Sequence, residues 1–247
     1  METNRKTRSH ETVMEMPAPV ERVWKAITDA SDVQGWLAPE VKIDAREGGE
    51  YWVSWGGGMN AASKIEVFDA PHHLRVTKDR PDPGGSAEPV HIAIDYYVEA
   101  KEGGTVLRLV HSGFLATAEW DKEYDGTKLG WPMMLRVLSY TLAHHPNERV
   151  RQNWFYSAAP GAQEDAWKQV RPVATAGNQV VYEVPPQEIL VSTTEGGDGL
   201  VYVALGEHSG KTGISANVVR YGDAANHLDE AIEHWKQKLN VFQTATV

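Results

Sequence analysis

The chain begins with an alternation of polar and apolar residues and then changes to a helical spacing. Residues 10–16 alternate between polar and apolar, which predicts a strand. Apolar residues then recur every three or four positions over residues 20–27, which predicts an amphipathic helix with Pro19 at its first position. A second short helical turn is expected over residues 29–37. Its N-cap is expected to be one of two polar residues, Ser31 or Asp32.

A run of further strands precedes the next helical pattern. They are expected over residues 41–44, 50–55, 62–68, 74–78, 90–100 and 105–114, with turns rich in glycine or proline between them. Residues 119–143 then return to helical spacing. Strands bracketed by helices predict the α+β class, and a single antiparallel sheet must cover one face. The long last helix is the expected cover.

The second half of the sequence weakly repeats the first. Residues 180–191 echo residues 65–76, and an amphipathic helix is expected over residues 226–242. Residues 162–170 would correspond to the first helix. We therefore expect a first domain over residues 1–147 and a smaller, degenerate second copy, or another α+β domain, over residues 148–247. An unrelated C-terminal extension is the alternative.

Composition excludes several classes of function. The 247 residues include no cysteine, which excludes disulfides, thiol catalysis and thiolate metal sites. A formal net charge of −10 argues against nucleic acid or a membrane as a partner. No apolar run approaches the roughly 20 residues of a spanning helix, and the polar N-terminus does not resemble a signal peptide. A cytoplasmic location is expected.

Short motifs for catalysis or cofactor binding give no positive signal. The glycine runs at residues 56–58 and 196–199 lack the Lys-Ser/Thr ending of a phosphate loop. His111 and Ser112 are neighbours on a strand and therefore point to opposite faces. A metal could be held at the helical spacing of His227, Glu230 and His234, but a solvated helix face is the preferred interpretation. No metal, no cofactor and no catalytic residue is predicted.

Several motifs occur together in residues 10–144. They are Pro17-Ala18-Pro19-Val20-Glu21-Arg22-Val23-Trp24, Gly35-Trp36-Leu37, Arg46-x-Gly48-Gly49, Glu66-Val67-x-Asp69-x-Pro71-x-x-Leu74, Glu102-Gly103-Gly104-Thr105, Leu107-x-Leu109-x-His111-Ser112-Gly113-Phe114 and Gly130-Trp131. In this order they resemble the SRPBCC, or START-like, superfamily and, within it, the homologues of the activator of heat-shock protein 90 ATPase. The resemblance implies a helix-grip fold, in which an antiparallel sheet wraps around a long C-terminal helix and leaves a cavity. It does not imply co-chaperone activity.

The implied cavity defines a set of candidate ligand-binding residues. They are Trp36, Trp52, Trp55, His91, Tyr97, Arg108, His111, Trp131, Met134, Leu135 and Leu138. Alternation along a strand places Arg108 on the same face as Phe114 and opposite His111. The competing interpretation is that the polar candidates face water on the outer side of the sheet. Core positions are the more common role for five of the candidates, although in a helix-grip fold the same face does both jobs: Trp36, Trp131, Met134, Leu135 and Leu138.

Three functions remain open at this point. The preferred one is the binding of a small apolar or aromatic ligand without catalysis. The alternative is a cyclase-like enzyme that acts on a hydrophobic substrate, with His91 or His111 as acid or base. The second alternative is a stress-related protein-interaction module that uses the second half, where an exposed apolar patch would then be expected. A homodimer is left open as the assembly state.

Overall fold

The computed structural model of the protein describes residues 5–159, 161–208 and 211–240. The chain forms two compact units, residues 1–146 and residues 147–247. None of the helices in these described ranges is both long and apolar enough to cross a membrane.

The first unit contains one antiparallel sheet of seven strands, as the alternation predicts. The strands are β1 (Thr7–Met16), β2 (Glu40–Ile43), β3 (Glu50–Gly56), β4 (Met59–Asp69), β5 (His73–Arg80), β6 (Val90–Lys101) and β7 (Gly104–Leu115). Their order in the sheet is β1-β7-β6-β5-β4-β3-β2. The helices are α1 (Val20–Thr28), α2 (Ala30–Gln34) and the long α3 (Asp121–His144). The predicted α+β class and the helix-grip arrangement are confirmed.

The two short helices begin at residues other than those expected. Pro19 is the N-cap of α1 and not its first helical residue. Asp29 caps α2, where its Oδ1 accepts hydrogen bonds from the backbone N–H of Ser31 at 2.9 Å and of Asp32 at 3.2 Å. Because α1 ends at Thr28, Asp29 lies between the helices, and a short carboxylate at that position reaches the second and third free N–H groups. Ser31 and Asp32 are thus the capped residues.

A bulge in β7 changes which side chains face inward. The pairing of β1 with β7 shifts between Arg8 and Ser9, opposite Gly113. Gly113 has φ +97°, and a Cβ there would lie 2.0 Å from the carbonyl oxygen of His91. Only glycine fits this conformation and this close approach. His111 and Phe114 are therefore both buried, and the prediction that Phe114 shares the face of Arg108 was wrong.

The second unit repeats the sheet-and-helix arrangement in reduced form. Its strands are β8 (Val150–Ala158), β9 (Gln179–Val184), β10 (Glu188–Thr193), β11 (Gly199–His208) and β12 (Lys211–Tyr221), in the order β8-β12-β11-β10-β9. Its helices are α4 (Gln163–Thr175) and α5 (Leu228–Asn240). Trp235 of α5 and Trp167 of α4 share a buried core with Phe155 and Val203 of this sheet. The repeat over residues 180–191 corresponds to β9 and β10, whereas β8 was not predicted.

Candidate functional site

A cavity of about 420 Å³ lies within the first unit, between the inner face of the sheet and α3. The sheet contributes Tyr51 and Val53 from β3, Val76 from β5, and Ile94 and Tyr96 from β6. These residues alternate along their strands with residues of the outer face, so one side of each strand forms the wall. The lining is therefore mostly apolar and aromatic.

Helix α3 closes the cavity with one stripe of residues. The lining residues of α3 include Glu123, Thr127, Gly130, Trp131 and Met134, and offsets of four, seven, eight and eleven from Glu123 place them on one helical face. A Cβ added at Gly130 would meet no atom within 4 Å. The helix therefore leaves open space at the middle of the stripe.

His111 is a buried polar group in the cavity wall, with 4% of its surface exposed. The indole Nε1–H of Trp131 donates a hydrogen bond to His111 Nδ1 at 3.1 Å. Because an indole nitrogen can only donate, Nδ1 is the acceptor and the neutral ring carries its proton on Nε2. Burial, together with nearby His10 and Lys78, lowers the pKa of His111 to about 3. His111 is thus a neutral donor, and its buried Nε2–H has no partner among the described residues.

His10 on β1 binds the neighbouring turn of α3 through a hydrogen bond between its imidazole and the Thr127 side chain. The Thr127 hydroxyl donates to the carbonyl oxygen of Glu123 at 2.9 Å, so the contact of 2.9 Å between His10 Nε2 and Thr127 Oγ1 has His10 as the donor. Burial and, to a lesser extent, Lys128 lower the pKa of His10. The two neutral imidazoles lie 5.5 Å apart between ring centroids and fix α3 against the sheet.

Three charged side chains line the cavity: Lys78, Arg80 and Glu123. Arg80 pairs with Glu123 across 2.6 Å. Burial lowers the pKa of Lys78, the positive charge of Arg80 lowers it further, and Glu123 partly opposes this. The lining therefore carries one cation in excess when all three side chains are charged.

Two buried tyrosines, Tyr51 and Tyr96, line the sheet side of the cavity. Burial raises the pKa of both Tyr51 and Tyr96 above their usual range, so both phenols are protonated at neutral pH. Tyr51 Oη donates to the carbonyl oxygen of Ile27 at 3.3 Å. The ring of Tyr96 lies edge-on to Trp131 at 6.2 Å, which packs the sheet wall against α3.

The structure brings together four of the sequence-predicted site residues, namely Trp55, His111, Trp131 and Met134. Trp36, Leu135 and Leu138 are buried but do not line the cavity, so they are core residues. The Trp36 indole, for example, donates to the carbonyl oxygen of Ala26 at 2.9 Å and packs α1 against the following turn.

The other four predicted residues lie on the outer face of the sheet, and their assignment to the cavity was wrong. Lys42 lies 5.0 Å above the ring of Trp52. His91 Nδ1 lies 2.9 Å from Asp79. Arg108 stacks on Tyr97 at 4.0 Å and pairs with Glu11 at 3.2 Å. Side chains alternate between the two faces along a strand, and each of the four alternates with the inward-facing residues of its own strand.

Sequence reasoning missed Lys78, Arg80, Tyr51 and Tyr96. The signal for Lys78 was present, because residues 74, 76 and 78 alternate and the first two are buried apolar residues. A lysine at the next inward position interrupts an apolar face. Tyr51 and Tyr96 share parity with Val53 and Ile94 in the same way.

No group of three or more His, Asp or Glu side chains within the described ranges could hold a metal ion. The helical spacing of His227, Glu230 and His234 does not form such a group. His227 contacts Glu230 at 3.3 Å, whereas His234 contacts Glu195 at 3.1 Å.

Residues 17–143 match the model of the family described as Activator of Hsp90 ATPase homolog 1-like protein. The chain belongs to this family. The matched segment covers α1 to α3 and therefore every residue of the cavity wall. No curated protein sequence matches the chain.

Solved structures similar to this family member include protein MLL2253 from Mesorhizobium loti, with 22% identity over 56% of this chain and 98% of that one and a TM-score of 0.49. Two others cover nearly the whole chain. DynU16, a putative protein of the dynemicin biosynthetic locus, is 16% identical over 96% and 95% of the two chains, with a TM-score of 0.46. The di-domain ARO/CYC BexL of the BE-7585A biosynthetic pathway is 13% identical over 95% and 97%, with a TM-score of 0.48.

Proposed function

We propose that the cavity of the first unit binds one small apolar or aromatic molecule. The observation that carries this proposal is the open space of about 420 Å³ bounded by Tyr96, Trp131 and Met134. Binding sites for small molecules are typically roughly 300–1,000 Å³ and mostly apolar, with a few placed polar groups. Burial of the ligand's apolar surface supplies affinity at about 25 cal/mol per Å².

Fluorescence with a neutral apolar probe tests this proposal. N-phenyl-1-naphthylamine brightens in apolar surroundings, and we expect saturable binding to one site. Replacement of Gly130 by leucine should place a side chain in the open part of the cavity and weaken binding about tenfold or more. The matched control is Gly130→Ala, which makes the same gain in helix propensity without filling the space. Loss of binding in both variants, or in neither, would count against the cavity as the site.

A reaction on a hydrophobic substrate is the second candidate, because His111 and Lys78 line the same cavity. His91, the other proposed acid or base, lies on the outer face and is no longer a candidate. A pKa of about 3 makes His111 a weak base at neutral pH and leaves no imidazolium to act as an acid. A substrate would therefore meet His111 only as a neutral imidazole. Mass spectrometry of the molecule that co-purifies with wild type and with His111→Asn distinguishes the two functions, since only catalysis predicts a different molecule in each.

The interaction-module hypothesis has weaker support. The large apolar side chains that are exposed in the described part of the second unit are Tyr156, Val180 and Val181. Tyr156 lies on β8 and the two valines lie on β9, which are the opposite edges of the five-stranded sheet. They do not form one patch. A homodimer and a cytoplasmic location stay predictions, and sedimentation equilibrium and cell fractionation test them.

A further inference from the structure

Lys78 occupies an unusual position for a lysine, on the inner face of the sheet. It follows Leu74 and Val76 on the buried side of β5, and it pairs across the sheet with Ile92 of β6, which is also buried. Its stem therefore lies along an apolar wall, and its side chain lines the cavity.

The charge of Lys78 has no matching carboxylate in the cavity wall. Glu123 is the acidic lining residue, and it is paired with Arg80 at 2.6 Å. No carboxylate in the described ranges forms an ion pair with Lys78. By contrast, the charged groups Arg108 and Glu11 of the outer face form a pair. A half-buried cation without a partner is costly, and an anion within the cavity would remove that cost.

A second polar residue lines the same cavity. His111 lies on β7, two strands from Lys78 and therefore roughly 10 Å away across the sheet. Its Nε2 atom is buried, with almost no accessible surface, so it is not a donor open to the cavity. The wall thus has one cation without an ion-pair partner, which is complementary to an acidic oxygen.

We propose that the molecule bound in this cavity is an apolar or aromatic acid, whose anionic oxygen pairs with the ammonium group of Lys78. A carboxylate, an enolate and an acidic phenolate share this chemistry. The inference rests on the proposed function and specifies the chemical class of its ligand.

Two fluorescent probes that differ in one charged group test the inference. 8-Anilino-1-naphthalenesulfonate carries an anionic sulfonate, whereas N-phenyl-1-naphthylamine has the same ring system without it. We expect wild type to prefer the anionic probe. Lys78→Met should raise the Kd of the anionic probe about tenfold or more and change the Kd of the neutral probe by less than about twofold. The reason is that the methionine keeps the apolar stem and removes the charge.

Three further variants serve as controls. Lys64→Met removes an exposed lysine of the adjacent strand β4 that does not line the cavity, and it should change neither probe. Lys78→Arg keeps the charge and should retain the anionic probe. Lys78→Gln provides a second neutral side chain if the methionine variant folds poorly, and neutral-probe binding reports on the fold of each variant.

The possible results separate the two proposals. Two results would contradict both the ligand cavity and the inference. Either neither probe binds wild type, or both probes bind Gly130→Leu with the same affinity as wild type. A second result would overturn the acidic ligand alone. The neutral probe would bind in the cavity, and Lys78→Met and Lys78→Gln would either weaken the binding of both probes equally or weaken the binding of neither. Selective loss of the anionic probe in both neutral variants supports it.

Discussion

The two faces of the seven-stranded sheet carry similar residues in different environments. The outer face has Tyr97, His73 and Arg108, and the inner face has Tyr96, His111 and Lys78. On the outer face Tyr97 lies between the other two, 4.4 Å from the His73 ring and 4.0 Å from the Arg108 guanidinium. The inner face holds its histidine neutral and its lysine without an ion pair. Residue type does not distinguish the faces, whereas burial does.

Asp95 shows how the outer face satisfies a buried charge. Only 3% of this residue is exposed, yet its carboxylate accepts hydrogen bonds from His73 at 2.8 Å and Arg75 at 2.8 Å. The charge of Asp95 is thus paired within the protein itself. An unpaired Lys78 beside an open cavity is the arrangement expected where the partner is a ligand.

The largest expected difference between the faces is in stability. Trp131→Ala should lower the free energy of unfolding by about 3 kcal/mol, because it removes a buried ring and the hydrogen bond to His111. Tyr97→Ala on the outer face should cost about 1 kcal/mol, since its ring is partly exposed and packs on other surface groups. Urea denaturation measures both. Equal losses would contradict the distinction between the faces.

The second difference is in the response to pH. The pKa of His111 is about 3 in the folded chain against 6.5 when unfolded, so the unfolded state takes up the proton first. Stability is therefore fully present above pH 6.5 and is lost as pH falls, by about 1.4 kcal/mol per pH unit, or roughly 2 kcal/mol between pH 6.5 and 5.

Matched histidine variants test this pH response. His111→Asn cannot take up the proton and should give a flatter stability profile between pH 6.5 and 5, even if it is less stable at pH 7. His91→Asn removes an exposed histidine of the outer face and should leave the wild-type slope unchanged. A slope that persists in His111→Asn would assign it to another group, of which His10 is the next candidate.

The smallest effect is expected for the outer ion pair. Arg108→Ala removes the contact with Glu11 and the stacking on Tyr97. Since these groups are partly exposed, the loss should be at most about 1 kcal/mol, and 0.5 M NaCl should reduce it further. Binding of N-phenyl-1-naphthylamine should be unchanged. A loss of probe binding would mean that the outer face takes part in the site.

The sequence by itself determined the order of the elements in the first unit and the family. Alternation along residues 90–100 and 105–114 reflects burial on one face of each strand, and the spacing of Leu135, Leu138 and Leu142 reflects a buried helical face. These are local periodicities, so they can be read without knowledge of the fold. Trp131 and Met134 followed from the same reasoning, because one helical face forms both the core and the cavity wall.

The second unit was harder to predict for a physical reason. Its strand β8 is an edge strand, and Tyr156 on it is exposed, so its alternation is weak. Strand pairing across the 54 residues between Ala158 and Gly213 depends on tertiary contacts and leaves no local pattern.

Only the tertiary structure decided which residues of each strand face the cavity. Alternation separates Tyr96 from Tyr97 and His111 from Arg108 but does not say which member of each pair faces inward. The position of α3 decides that, since the strand face it covers becomes the wall. The bulge at Gly113 then brings Phe114 to the same side as His111, because an extra residue reverses the alternation. Lys78 acquires its role in the same way, from an apolar wall and from a carboxylate, Glu123, that is already paired with Arg80.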